Sequence, residues 1–316
     1  MYDVTAIGEL LIDFAPVSTD DTGYPTLAAK PGGAPSNFLA ALSKYGAKTA
    51  MIGKVGTDAF GKKLVQTLKE IGIETAGLIE DDTVFTTLAF VTLNEDGERS
   101  FSFARKPGAD TCLRYDEIKL NLIDDTKVFH FGTLSLTNEP AKEATKKAVA
   151  YAKAAGKLIT FDPNLRKPLW SDLADAKEQM LWGLEVADIV KISDDEVDFL
   201  WGIDEEAGAK KLLDDFGVKL AMVSSGAKGA LMQNWKSSAF SACPKVNPVD
   251  TTGGGDIFGG SAVSRILKTG KPPEDLDEAE LTEIVKFAIT AASLSTEKLG
   301  GIPSIPDESE VIKAMK

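Results

Sequence analysis

The chain has 316 residues, 43% hydrophobic and 26% charged, an ordinary globular composition with enough length for a large α/β core. A formal net charge of −13 repels phosphodiester backbones and argues against a nucleic-acid partner. Cys112 and Cys243 lack metal-ligand spacing and read as reduced thiols of a cytoplasmic protein; no leader-like start and no run of ~20 apolar residues points to a membrane.

In chain order, Val4–Ile7 reads as a buried strand that Glu9–Asp13 continues. The segment from Ala15 to Lys30 is polar and broken by Pro16, Gly23 and Pro25, as in a flap. Pro31-Gly32-Gly33-Ala34-Pro35 is a turn into a helix, with Pro35 suited to the first helical turn and Phe38, Leu39, Leu42 and Tyr45 as its apolar stripe. Thr49–Val55 is a strand, and Gly61–Ile71 a helix closed by Gly72. Phe85–Leu93 and Glu98–Arg105 flank the turn Asn94-Glu95-Asp96-Gly97 and predict a projecting β-hairpin. Strands at Lys127–Phe131, Leu158–Asp162, Asp188–Ile192 and Lys219–Ser224 then alternate with helices at Ala141–Ala155, Ala174–Glu185, Asp194–Trp201 and Glu205–Phe216. Ala230–Gln233 opens a further strand, and helices follow at Asp256–Leu267 and Leu281–Thr296. Alternation of this kind predicts an α/β fold: a doubly wound, mostly parallel sheet with helices on both faces. Residues 1–316 form one domain in this reading, with a small β lid built from two separated segments, about 14–30 and 85–105.

The densest signal is Val249–Ser261, where five glycines fall among thirteen residues around Asp256. Gly253, Gly254 and Gly255 can aim several backbone N–H groups at one point, and the helix that follows adds its positive end, so the run predicts an anion hole for phosphate. Asp256 is out of place beside a phosphate. It is either the helix N-cap or a general base that takes a proton from an attacking hydroxyl. The order of residues is neither a Walker A loop nor a dinucleotide fingerprint. His130 is the sole histidine, ends an apolar strand and reads as a core residue; no Gly-x-Ser-x-Gly elbow accompanies it, so a Ser-His-Asp hydrolase is set aside.

Asp250-Thr251-Thr252-Gly253-Gly254-Gly255-Asp256 resembles the C-terminal signature of the ribokinase/PfkB-type sugar kinases, usually written DTTGAGD. Gly32-Gly33-Ala34-Pro35-Ser36-Asn37, continuing to Gly53-Lys54-Val55-Gly56-Thr57-Asp58-Ala59-Phe60-Gly61, resembles their N-terminal signature. Gly8–Phe14, Arg105–Asp110 and Asp162–Arg166 are most similar to bacterial fructokinases. Three departures stand out. Gly254 replaces an alanine, Ser261 takes the place of Ala or Gly, and Ser193 replaces the asparagine of an Asn-x-x-Glu motif that keeps Glu196.

The resemblance implies a ribokinase-like fold and an ATP- and Mg²⁺-dependent kinase acting on a sugar primary hydroxyl, most simply fructose to fructose 6-phosphate. It makes Asp256 the base and Gly253–Gly255 the anion hole. Asp13, Gly33, Asn37, Arg105, Asn164 and Arg166 become sugar-side residues. Ser225, Gly226, Gly229 and Thr252 line the ATP site, and Glu196 holds Mg²⁺ through water. A K⁺ site at Asp250, Thr252 and Ser304, and a homodimer through the lid, are further implications. Alternatives are a 2-keto-3-deoxygluconate kinase, for which Arg105 and Arg166 would recognise the carboxylate, a ribokinase or nucleoside kinase, and a sugar- or nucleotide-binding regulator without turnover.

Overall fold

A computed structural model describes residues 1–93 and 99–316; the predicted hairpin turn at Asn94–Gly97 lies outside them. The chain begins with β1 (Tyr2–Ile7), β2 (Leu11–Thr19), β3 (Pro25–Gly32), α1 (Ala34–Lys44), β4 (Thr49–Gly56), α2 (Ala59–Glu70), β5 (Ile73–Asp81), β6 (Leu88–Leu93) and β7 (Arg99–Ala104). It continues through α3 (Asn121–Asp124), β8 (Thr126–Gly132), α4 (Ala141–Ala154), β9 (Leu158–Asp162), α5 (Leu173–Val186), β10 (Ile189–Ser193), α6 (Asp194–Trp201), α7 (Glu205–Phe216) and β11 (Leu220–Ser224). The last elements are β12 (Gly229–Gln233), β13 (Ser238–Ala242), α8 (Gly254–Thr269), α9 (Glu278–Ser295) and α10 (Glu308–Ala314).

The larger sheet has nine strands in the order β13-β12-β11-β10-β9-β8-β1-β4-β5. β1 pairs in parallel with both β4 (Val4 opposite Thr49) and β8 (Val4 opposite Val128), so the chain winds outward from β1 in both directions. Among the described residues of this sheet, β12 and β13 alone join antiparallel. Strands buried on both faces are near-continuous apolar runs, which is why β8–β11 are legible as Val/Ile/Leu/Phe segments. One face packs Leu39 of α1, Phe258 of α8 and Ile284 of α9; the other packs Ala144 of α4, Met180 of α5 and Leu212 of α7. Among the described residues no helix is long and apolar enough to cross a membrane.

β3-β2-β6-β7 form a second, four-stranded sheet, from the two segments expected to make a flap. It starts at Leu11, which corrects the reading of residues 9–13 as a continuation of β1. At Gly8, Pro35 packs so closely that an added Cβ would lie 2.6 Å from its Cγ. The chain leaves the large sheet there and carries Asp13 onto the small one.

Candidate active site

The large sheet ends its parallel strands on one side, where loops lead into helices, the usual place for a ligand in an open α/β sheet. A cavity of about 480 Å³ opens there, bounded on the far side by Leu11 and Asp13 of β2 and Phe103 of β7. A second cavity of about 260 Å³ adjoins it, lined by apolar groups such as Val246, Phe258 and Ile289. Thr251, Gly254 and Gly255 border both.

The glycine run forms that border. Gly253 is the N-cap of α8 in the left-handed region at φ 78°, a conformation only glycine adopts freely. Gly254, Gly255 and Asp256 follow as the first helical residues, so Asp256 lies inside the first turn and is not the N-cap. Its carboxylate turns instead to two side-chain amides: Asn37 Nδ2 donates to Oδ2 at 2.9 Å and Asn164 Nδ2 to Oδ1 at 3.2 Å. Asn37 comes from α1, and Asn164 follows β9 with φ 45°, a backbone Asn tolerates better than most residues. Three remote segments thus fix one buried carboxylate. Burial lifts its pKa above the usual aspartate range, against the Asn37 hydrogen bond and the charges of Lys191 and Arg166. A carboxylate raised in this way is a better proton acceptor near neutrality.

Asp13, Gly33, Asn37, Asn164, Arg166, Thr252 and Glu196 all line the larger cavity, as do the three glycines and Asp256. Gly33 has φ 110°, and a Cβ there would meet Glu9 O at 2.4 Å. Asp13 has its pKa pushed up to about 7, by burial first, with Arg166 opposing. Gly226 lines both cavities.

Three of the residues expected at the sugar and ATP sites stand elsewhere. Arg105 does not line the cavity: Nε and Nη2 donate to Asp110 Oδ2 at 2.9 and 2.6 Å, Nη1 to Thr137 Oγ1 at 2.8 Å, and Nη2 to Leu134 O at 2.9 Å. Its guanidinium is spent on Asp110, just after β7, and on Leu134 and Thr137, just after β8. Gly229 lines neither cavity; a Cβ there would lie 2.2 Å from Ser241 O, so the glycine serves the β12–β13 pairing. Ser225 is buried and lines neither cavity.

Glu196 accepts from Leu165 N at 2.7 Å and from Ser193 N at 2.8 Å, and Ser193 Oγ accepts from Glu196 N. Ser193 is therefore the N-cap of α6 in a capping box, a role serine fills as well as asparagine. Each Glu196 oxygen carries one amide and keeps acceptor capacity. Among the described residues no cluster of acidic, His or Cys side chains could enclose a metal alone. Glu196 is a single carboxylate with acceptor capacity to spare, a donor of the kind Mg²⁺ takes alongside nucleotide phosphates. Asp250 ties two loops, accepting from Thr252 N at 2.9 Å and Gly300 N at 2.8 Å; Ser304 Oγ donates to Gly301 O at 2.7 Å.

Lys191, Asp162 and Glu9 also belong to this region and the sequence reading passed over them. Lys191 and Glu9 line the cavity, and Asp162 pairs with Lys191. The signal was a lysine inside the apolar strand β10, since a charge there demands a partner. Glu9 Oε1 accepts from Ala34 N at 2.7 Å, supplying α1 with the side-chain cap that Gly33 lacks; burial raises its pKa to about 8. His130 is a core residue as expected, stacked on Phe38 at 3.8 Å and hydrogen-bonded to Thr160 at 2.9 Å, with its pKa lowered by burial to about 3.

The sequence model of the pfkB family carbohydrate kinases matches residues 1–308. Fructokinase-1 of Zea mays is 41% identical over 319 residues, covering 99% of this chain and 97% of that protein. The probable fructokinase-4 of Arabidopsis thaliana is 42% identical, covering 99% and 96%. Among solved structures, the fructokinase from Xylella fastidiosa with bound ATP matches at a TM-score of 0.87 and 28% identity, covering 100% of this chain and 98% of that one. A double mutant of the fructokinase from Vibrio cholerae O395, bound to fructose, ADP and potassium ion, matches at 0.88 and 31% identity, covering 100% and 99%.

Proposed function

The chain belongs to the pfkB family of carbohydrate kinases, and from that premise we propose that it phosphorylates the primary hydroxyl of fructose with ATP, giving fructose 6-phosphate. The observation that carries the reading is the setting of Asp256: a buried carboxylate, held by an amide on each oxygen, behind the glycines that border two adjoining cavities. Fructose is favoured by the full-length fructokinase relatives and by the neighbour that binds fructose with ADP. A sugar acid would call on both Arg105 and Arg166, and Arg105 is committed to Asp110.

In this reading the sugar lies in the larger cavity against Asp13, Gly33 and Asn37. The base of ATP lies in the apolar cavity, with its phosphates over Gly253–Gly255. Asp256 accepts the proton of the attacking hydroxyl, and Asn37 and Asn164 keep its oxygens aimed. Gly254 N is turned onto Thr251 O at 3.2 Å, so the backbone amide of Gly255, in the first turn of α8, is the one that receives charge on the transferring group. Glu196 would hold Mg²⁺ through water, and the ion would supply charge neutralisation for the phosphates. The small sheet acts as a lid that excludes water. A potassium ion near Asp250, Thr252 and Ser304 agrees with the potassium-bound neighbour. The exposed Val17 and Tyr24 on the lid suit a homodimer through it, and two free cysteines suit the cytoplasm.

The test is ADP release from MgATP with fructose, ribose, 2-keto-3-deoxygluconate and adenosine, alongside Asp256→Asn. Turnover is expected with fructose, and the variant is expected to bind fructose yet lose ~10²–10⁴-fold in kcat. Preference for another acceptor overturns the substrate, and a variant with wild-type kcat overturns the base.

A further inference from the structure

Lys191 occupies the centre of β10, between the buried Val190 and Ile192. An ammonium in such a place carries a desolvation cost of several kcal/mol unless it is well paired. Its side chain passes beneath the first turn of α8. A Cβ added at Gly259 would lie 3.9 Å from Lys191 Cγ, and one added at Gly255 would lie 2.8 Å from Nζ. Gly255 has no left-handed backbone to explain it; the space its missing side chain leaves is the space the ammonium uses. Among the described residues the hydrogen-bond partner of Nζ is Asp162 alone, at 3.1 Å to Oδ2 and 3.3 Å to Oδ1. An ammonium has three donors, and here both contacts go to one carboxylate. The same side chain lines the cavity that holds Gly253–Gly255 and Asp256. Burial pulls its pKa down, but Asp162, Glu196 and Asp256 together hold it above the ordinary lysine value, so it stays charged.

We propose that Lys191 is a further catalytic residue of the phosphoryl transfer, donating from Nζ to a non-bridging oxygen of the moving group, with Asp162 as the residue that positions it. This rests on the kinase reading above. The bond from the γ-phosphorus to the ADP oxygen breaks, the bond to the sugar oxygen forms, and the hydroxyl proton goes to Asp256. Lys191 keeps its proton throughout and contributes charge and a directed donor. The glycine at 255 is then required twice, for its backbone amide and for the room it leaves the ammonium.

A purely structural ion pair can be replaced by neutral groups of similar shape at little cost, whereas removing one partner strands a buried charge. The test therefore uses Lys191→Met/Asp162→Asn, which removes both charges, beside Lys191→Met and Lys191→Arg. The double variant is expected to fold and to lose roughly 10²–10³-fold in kcat, the usual effect of deleting one such donor, with KM for ATP and fructose within about threefold of wild type. Lys191→Arg is expected to recover part of the rate. Calorimetry with MgADP and aluminium fluoride reads the same interaction without turnover. Fluoride is expected to tighten MgADP binding in the wild type but not in the double variant, with MgADP alone binding equally to both. A folded double variant with kcat within about threefold of wild type, or with the full tightening by fluoride, overturns the role of Lys191. If both methionine variants fail to fold, Gly255→Ala decides, because its methyl displaces Nζ; kcat within about threefold of wild type then overturns the proposal. Failure of the wild type to phosphorylate fructose counts against the substrate, and the fluoride measurement still decides the lysine.

Discussion

Asp13 sits half-buried on β2, with its carboxylate in the cavity and its pKa lifted by burial to about 7 from an ordinary 3.8. Between those values the folded chain holds a proton that the unfolded chain has lost, so stability falls as pH rises through this window. Asparagine has no such dependence. Asp13→Asn is therefore expected to be more stable than wild type by about 2–4 kcal/mol at pH 8, at ~1.4 kcal/mol per pKa unit, with the gain vanishing near pH 4. Its fructose KM should rise at least about tenfold, because one hydrogen bond to a charged group is worth ~1.5–3 kcal/mol. Urea unfolding at the two pH values, with initial rates against fructose, checks both. A gain that is the same at pH 4 and pH 8 would mean that Asp13 is not held against its ionisation. At this scale the sequence is informative but incomplete. Three glycines beside an aspartate announce an anion site with a misfit carboxylate. Whether Asp256 caps or accepts a proton depends on where α8 begins, and on Asn37 and Asn164, 219 and 92 residues away in sequence.

The elements show the same division. β8 to β11 are legible because a strand covered on both faces must be apolar throughout. β5 is not: as the sheet's edge strand it mixes buried and exposed residues without regular alternation, and nothing local marks it. The break between β1 and β2 is hidden too, because Leu10, Leu11 and Ile12 look like one buried strand until Pro35 is seen packing on Gly8. Asp58 illustrates an element junction. Oδ1 caps α2, accepting from Phe60 N at 2.9 Å and Gly61 N at 3.1 Å. Oδ2 accepts from Thr86 N at 2.8 Å and Thr86 Oγ1 at 2.7 Å, just before β6. One carboxylate thus starts a helix of the body and anchors a strand of the small sheet. Asp58→Ala is expected to cost about 1–2 kcal/mol for the lost cap alone, and more if the anchor matters, whereas Asp58→Asn, which keeps an acceptor, should cost less. Thermal unfolding of the two variants separates them, and equal losses would show that the charge rather than the acceptor is what counts.

On the scale of the whole molecule, the small sheet is hinged to the body at two roots, Asp58–Thr86 before β6 and Arg105–Asp110 after β7. The second is the more deeply buried, with side chains 3% and 2% exposed, and the Thr87 hydroxyl donates to the other Asp110 oxygen. With its guanidinium committed there, Arg105 is expected to act on the reaction through the placement of the sheet over the cavity. Arg105→Met leaves Asp110 buried without its partner and is expected to destabilise the fold by about 3–5 kcal/mol; Arg105→Met/Asp110→Asn should recover most of that loss. The two roles are separable in the double variant. If the clasp holds the lid in register, the repaired protein should still consume more ATP per fructose phosphorylated than wild type, because water gains entry to the cavity. ADP release and fructose 6-phosphate formation, measured together, give that ratio. A ratio unchanged from wild type, in a double variant of restored stability, would assign the clasp to stability alone and leave β2 and β6 as sufficient to hold the lid closed.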